Sequence, residues 1–180
     1  MLVLYGSKYG TARRYAEEFA RRAGTAAVSV KGRVPAAKGI TVFFGALYMG
    51  RVYGLKRALK KAAGCSRLLV VTVGLADPSE PAVAESRSGA VLAAVPQRLH
   101  KNVQVFHLRG AVDFARLSAG RRLLLKVLRS MAERTDPAQR TPEMRAVLET
   151  EGKSADYTDF AALDAVLLAA GLADEAAQTE

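Results

Sequence analysis

MLVLYGSKYGTARRYAEEFARRAG, residues 1–24, decides the fold. Its first five residues are a continuous apolar run, the signature of a strand buried on both faces of a parallel sheet. A polar turn holding Gly6 and Gly10 follows. Then Ala12, Tyr15, Ala16, Phe19, Ala20 and Ala23 recur at three- and four-residue spacing, with Arg13, Arg14, Glu17, Glu18, Arg21 and Arg22 between them. That is an amphipathic helix, and Gly24 is placed to end it.

Outward from this unit, strands and helices keep alternating. Residues 25–30 predict a second strand and residues 31–39, with Gly, Pro and small side chains, a loop. Residues 40–45 (ITVFFG) and 67–74 (RLLVVTVG) are all-apolar strands, and 102–108 a fifth. Between them, 46–53 reads as a loop, 54–63 as a basic helix, 75–82 as a loop, and 83–99 as a helix broken at Pro96. The C-terminal part predicts helices over 120–134 and 157–170, separated by a polar stretch, 136–155, with Pro137 and Pro142. Continuously apolar strands alternating with helices specify an α/β sheet covered on both faces. Five parallel strands suit a doubly wound sheet of order 2-1-3-4-5.

The composition is consistent with one domain. The chain has 180 residues, 50% of them apolar and 24% charged, which excludes global disorder. A single cysteine, Cys65, excludes an internal disulfide framework and a multi-cysteine zinc site. No apolar run reaches the length of a membrane span, and the first residues lack the basic n-region of a signal peptide, so the expected location is the cytoplasm. Lys and Arg number 27 against 17 Asp and Glu, a net charge of +10 that favours anionic partners. Nucleic acid ranks last among these, because no helix-turn-helix or basic aromatic platform accompanies the charge.

In an open parallel sheet, ligands sit beyond the carboxyl ends of the strands at the switch point, and the first strand is a switch-point strand in this order. The turn Gly6-Ser7-Lys8-Tyr9-Gly10-Thr11-Ala12 opens directly into a helix. It offers backbone N–H groups, the hydroxyls of Ser7 and Thr11 and the positive end of a helix dipole, the parts of a phosphate site. Gly10 suits close approach of the backbone to an anion, or a positive φ. The alternative is a plain strand-to-helix turn capped by Ser and Thr. Neither GxGxxG nor GxxxxGK[ST] is present.

Taken with its position, LYGSKYGTARRYAEEFA resembles the phosphate loop of flavodoxin-like proteins, with Ser7 and Gly10 matching and Tyr9 and Ala12 standing where threonines are common. FFGALYMGRVYGLKRALKK (43–61) resembles the segment after the third strand of flavodoxin-type protoporphyrinogen dehydrogenases, and VTVGLADPSEP (71–81) their loop after the fourth. Residues 110–117 (GAVDFARL), with the basic helix that follows, and Tyr157-Thr158-Asp159-Phe160 are similar to their later segments. The resemblance covers nearly the whole chain. It implies a flavodoxin-like fold and FMN as a non-covalent cofactor. The phosphate would lie on Ser7, Lys8, Tyr9, Gly10, Thr11 and Ala12. The ring would lie between Ala46, Leu47, Tyr48, Met49 and Gly50 on one side and Val73, Gly74, Leu75 and Ala76 on the other. It also implies a porphyrinogen as substrate and a membrane quinone as electron acceptor.

Single residues leave readings open. Tyr48, with Tyr53 second, either stacks on the ring or packs on a neighbouring loop. Gly74 either admits the ring or ends its strand. The flavin supplies the redox chemistry, so no acid–base pair is required of the protein. His100 and His107 lack partners at recognisable spacing and read as structural, and Cys65 as a small buried hydrophobe. On helix 121–134, Leu123, Leu124, Val127, Leu128 and Met131 share one arc, with Arg122, Lys126, Arg129 and Glu133 opposite. The favoured reading docks that arc on the sheet; the alternative lays the helix on anionic lipid, at the inner membrane face. Lys56, Arg57, Lys60 and Lys61 are expected as a basic rim near the flavin edge. Two other functions compete: a flavodoxin electron carrier, and a flavodoxin-fold binding module that has lost flavin.

Overall fold

The computed structural model describes residues 1–48, 50–113, 118–150 and 153–172, with the side chain of Arg121 left aside. Strands β1 (Leu2–Gly6), β2 (Ala27–Ser29), β3 (Ile40–Tyr48), β5 (Arg67–Gly74) and β6 (Val103–Arg109) form a parallel sheet in the order β2-β1-β3-β5-β6. In chain order of the parallel strands this is 2-1-3-4-5. The sheet has a sixth member, β4 (Arg51–Val52), antiparallel to the end of β3. Residues 46–53, expected as a loop, are therefore mostly hairpin. β3 runs on to Tyr48, the chain turns at Gly50 with φ 70°, and Leu47 pairs with Val52. β3 thus extends beyond the expected 40–45, because Ala46, Leu47 and Tyr48 continue its apolar run.

Both faces are covered, which is why the strands carry no polar face. On one side, Val3, Val42, Phe44, Leu69 and Val71 meet Tyr15, Ala16 and Phe19 of α1 (Thr11–Arg22) and Val166 of α6 (Asp164–Ala169). On the other, Leu4, Phe43, Leu68 and Val70 meet Leu55 and Ala58 of α2 (Leu55–Lys61) and Val91 of α3 (Pro81–Ala94). The buried face of α1 matches the one read from its periodicity.

The differences lie at prolines and in the C-terminal third. α3 ends at Ala94, because Pro96 holds Val95 in an extended conformation (φ −85°, ψ 131°), and a 3-10 turn, Gln97–Asn102, follows. The stretch expected as a polar connection contains α5 (Pro142–Glu149): Pro142 takes the first helical position, where its missing N–H costs nothing, and the Thr141 hydroxyl accepts from Met144 N. The last expected helix is shorter. β8 (Ala155–Asp156) pairs with β7 (Ala111–Val112), and the Asp156 and Asp159 side chains accept from Thr158 N and Ala161 N, each at 2.9 Å, holding turns ahead of α6. α4 (Ala119–Arg134) packs on α5. Among the described residues no helix is long and apolar enough to cross a membrane.

Candidate functional site

The carboxyl ends of β1, β3, β5 and β6 border a cavity of about 530 Å³, within the range of small-molecule and cofactor sites. From the expected phosphate loop it is lined by Ser7, Tyr9, Thr11 and Ala12, and from the expected ring loops by Ala46, Leu47, Tyr48, Gly50, Val73, Gly74, Leu75 and Ala76. Lys8 and Gly10 do not line it, and Met49 lies outside the described residues, as do 114–117 of the segment after the fifth parallel strand. The order of the strands thus brings three sequence-distant loops to one place. Gly110, Ala111 and Val112 complete the floor, and Leu124, Leu125 and Leu128 of α4 with Glu143 and Val147 of α5 cover it.

The turn before α1 has the backbone its sequence called for. Gly10 takes φ 97°, a conformation costly for any residue with a Cβ, and α1 starts there without a side-chain cap. Ser7 Oγ accepts from Gly10 N at 3.0 Å, so it shapes the turn. Thr11 is buried, and its hydroxyl lies 3.5 Å from the Ala111 carbonyl, a weak contact that directs it across to the strand. Lys8 Nζ sits 3.8 Å from the centroid of the Tyr48 ring, and Tyr9 tilts against Tyr48 at 6.4 Å. One face of Tyr48 therefore carries an ammonium. Tyr53 does not line the cavity; its phenol is acidified by the hydrogen bond with Lys31.

The sequence reading missed both charged residues of the lining, Arg87 and Glu143, and Arg87 is the buried one. It is 3% exposed and lines the cavity. Nη2 donates to the Ala76 carbonyl at 2.8 Å, while Nε and Nη1 are buried without an acceptor. Burial lowers its pKa to about 10, partly offset by the fields of Glu143 and Asp77. The signal was there: Val83, Arg87 and Val91 follow at four-residue spacing, so the arginine belongs to the inner row of α3. Gly74 has a packing reason. A Cβ on it would fall 2.8 Å from Arg87 Nη2 and 2.7 Å from Leu47 Cδ1, so the glycine leaves room for the guanidinium at the strand end.

Other side chains fix the walls. Arg109 donates from Nε to the Leu75 carbonyl at 3.1 Å, pairs with Glu149, and lies 3.8 Å from the centroid of the Tyr157 ring. Tyr15, buried, donates to the Arg109 carbonyl at 2.7 Å and accepts from Asp159 N at 2.9 Å. His107 bridges Thr72 Oγ1 (2.7 Å) and Ser88 Oγ (2.9 Å), and burial pushes its pKa down to about 4, so it is neutral at pH 7 and outside the cavity lining. Lys56, Arg57, Lys60 and Lys61 do not line the cavity either; α2 packs on the far face of the sheet. α4 divides its apolar arc. Leu124 and Leu128 face the cavity, while Leu123, Val127 and Met131 are 62%, 47% and 52% exposed. The arc does not dock as a whole on the sheet, because α4 roofs the cavity at the strand ends.

Among the described residues no histidine or cysteine lines the cavity, and its charged lining side chains are Arg87 and Glu143. The remaining lining is mostly apolar, with hydroxyls from Ser7, Tyr9, Thr11 and Tyr48. The turn into α1, apolar walls from β3, β5 and α4, and the buried guanidinium of Arg87 border one space. No protein-family model matches the chain, and no curated protein matches it.

Proposed function

We propose that the chain binds FMN in this cavity and acts as a flavodoxin-like oxidoreductase of the protoporphyrinogen dehydrogenase type, oxidising a porphyrinogen and passing the electrons to a quinone. The observation that carries the reading is the shared cavity of the three loops, bordered by a turn with Gly10 at positive φ. FMN, when bound, supplies the electron transfer. The chain's own residues bind and exclude water. Backbone N–H groups at the start of α1 take the phosphate, with Ser7 holding the turn. Leu47, Val73, Leu124 and Leu128 give the ring apolar contact and shed solvent from it. The exposed row Leu123, Val127 and Met131, with the exposed cations Arg122 and Lys126 on the same helix, suits an anionic lipid surface on the cytoplasmic side, where a quinone is reached.

The rival is a flavodoxin-fold binding module without flavin, and the Lys8 ammonium on the Tyr48 face favours it. FMN titration followed by quenching of flavin fluorescence separates the two. The proposal expects saturable binding to the wild type. Gly10→Val, which forces a branched residue to φ 97°, is expected to lose at least tenfold in affinity, with Ser7→Ala losing less. No binding to the wild type refutes it. Turnover of a porphyrinogen with a quinone then distinguishes the enzyme from an electron carrier.

A further inference from the structure

A cation in the inner row of α3 calls for an explanation. Val83 and Val91, one turn to either side of Arg87, are fully buried, and an apolar residue at 87 would continue their row. Among the described residues no carboxylate comes within ion-pair distance of the guanidinium; Asp77 and Glu143 reach it only through their longer-range field. One of its three nitrogens is satisfied, by Ala76 O, and two are not. A buried charge left unpaired is among the costliest features a fold carries. Here it stands at the wall of a cavity whose other walls are mostly apolar.

We propose that Arg87 binds an electron-rich, oxygen-bearing edge of the molecule that occupies the cavity. It would be a second polar anchor besides the turn at residues 7–12. This rests on the flavin reading above, in which the edge is the carbonyl edge of the ring. Nε and Nη1 are shielded from solvent behind the wall that the guanidinium lines, so pairing with an occupant requires the fork to turn toward the cavity. Gly74 makes room for the guanidinium itself, since a Cβ there would lie 2.8 Å from Nη2. A purely hydrocarbon occupant would leave the donors unpaired, so the site selects against it. A fixed positive charge beside the ring also favours the form of the cofactor that carries more electrons.

The test compares the wild type with three variants: Arg87→Lys, which keeps the charge and loses the fork; Arg87→Gln, which keeps donors and loses the charge; and Arg87→Met, which loses both. FMN affinity and the midpoint potential of bound FMN are read for each. Arg87→Gln and Arg87→Met are expected to bind FMN at least tenfold more weakly. Their preference for reduced over oxidised FMN falls about tenfold, a midpoint about 30 mV lower for a two-electron couple. Arg87→Lys holds the potential while losing affinity. A merely structural arginine would not move the potential with charge. Wild-type affinity and potential in both neutral variants overturn the proposal and leave the flavin reading standing. A wild type that binds no FMN overturns both. Failure of both neutral variants to fold assigns Arg87 to the scaffold and overturns the proposal as well.

Discussion

Replacing Arg87 by methionine is expected to stabilise the ligand-free protein. Burial pulls the guanidinium from 12.5 to about 10, so holding the charged form in the fold costs about 3 kcal/mol at about 1.4 kcal/mol per pH unit. The arginine returns part of this through its 2.8 Å bond to Ala76 O, about 1.5–3 kcal/mol for a bond with one charged partner. Methionine fills most of the volume without a charge, and it extends the apolar row of Val83 and Val91. The net expectation is a gain of up to about 1.5 kcal/mol, in line with replacements of other buried charges. At about 2–4 °C per kcal/mol for a chain of this length, the midpoint of thermal unfolding rises by up to about 6 °C. Urea titration and scanning calorimetry of FMN-free protein measure it. A loss of more than about 1 kcal/mol refutes the reasoning, because the guanidinium would then be stabilised by contacts that outweigh its desolvation.

Tyr15→Phe removes both the bond to the Arg109 carbonyl and the one from Asp159 N, and is expected to cost about 1–3 kcal/mol; urea unfolding measures the loss, and faster amide exchange at Asp159 localises it. His107 is neutral in the fold, with its pKa depressed to about 4 by burial, and takes up a proton more readily when unfolded. Its contribution is therefore complete above pH 6.5 and is lost as pH falls from 6.5 to 4, on the order of 1–2 kcal/mol after allowing for its partial exposure; stability of His107→Asn against pH should be flatter across that window. Leu123→Glu with Val127→Glu alters exposed positions only, so stability should stay within about 0.5 kcal/mol. Cosedimentation with phosphatidylglycerol-containing vesicles should fall at least fivefold in that pair, and salt should weaken the wild type's binding; equal sedimentation of both proteins would rule out α4 as the lipid-facing element.

The parallel strands and α1 were legible because their signals are local and redundant. Residues 67–74 carry eight positions of a buried strand with no competing pattern, and β5 spans them as read. The periodicity of residues 12–23 names the inward face of α1 residue by residue. Where one residue type serves two purposes, the reading slipped. Pro142 lies in a stretch that reads as a polar connection and begins α5, and the strand expected over 40–45 continues through Gly45 to Tyr48. The helix expected over 157–170 gives way at its start to turns held by Asp156 and Asp159, whose side chains compete with the helical bond pattern.

The chain by itself determined the α/β class and the turn that opens α1, because hydrophobic period and turn chemistry act over a few neighbouring residues; the order of the parallel strands was expected from the fold class and is set by the long-range pairing. Only the tertiary structure decided what surrounds the strand ends. α4 covers a cavity with Leu124 and Leu128 and leaves Leu123, Val127 and Met131 in solvent, and Arg87 is held beneath Gly74 with two donors unmet. Burial and pairing depend on which distant segments meet. A helical wheel shows that an arc is apolar, and only packing shows which part of it is covered.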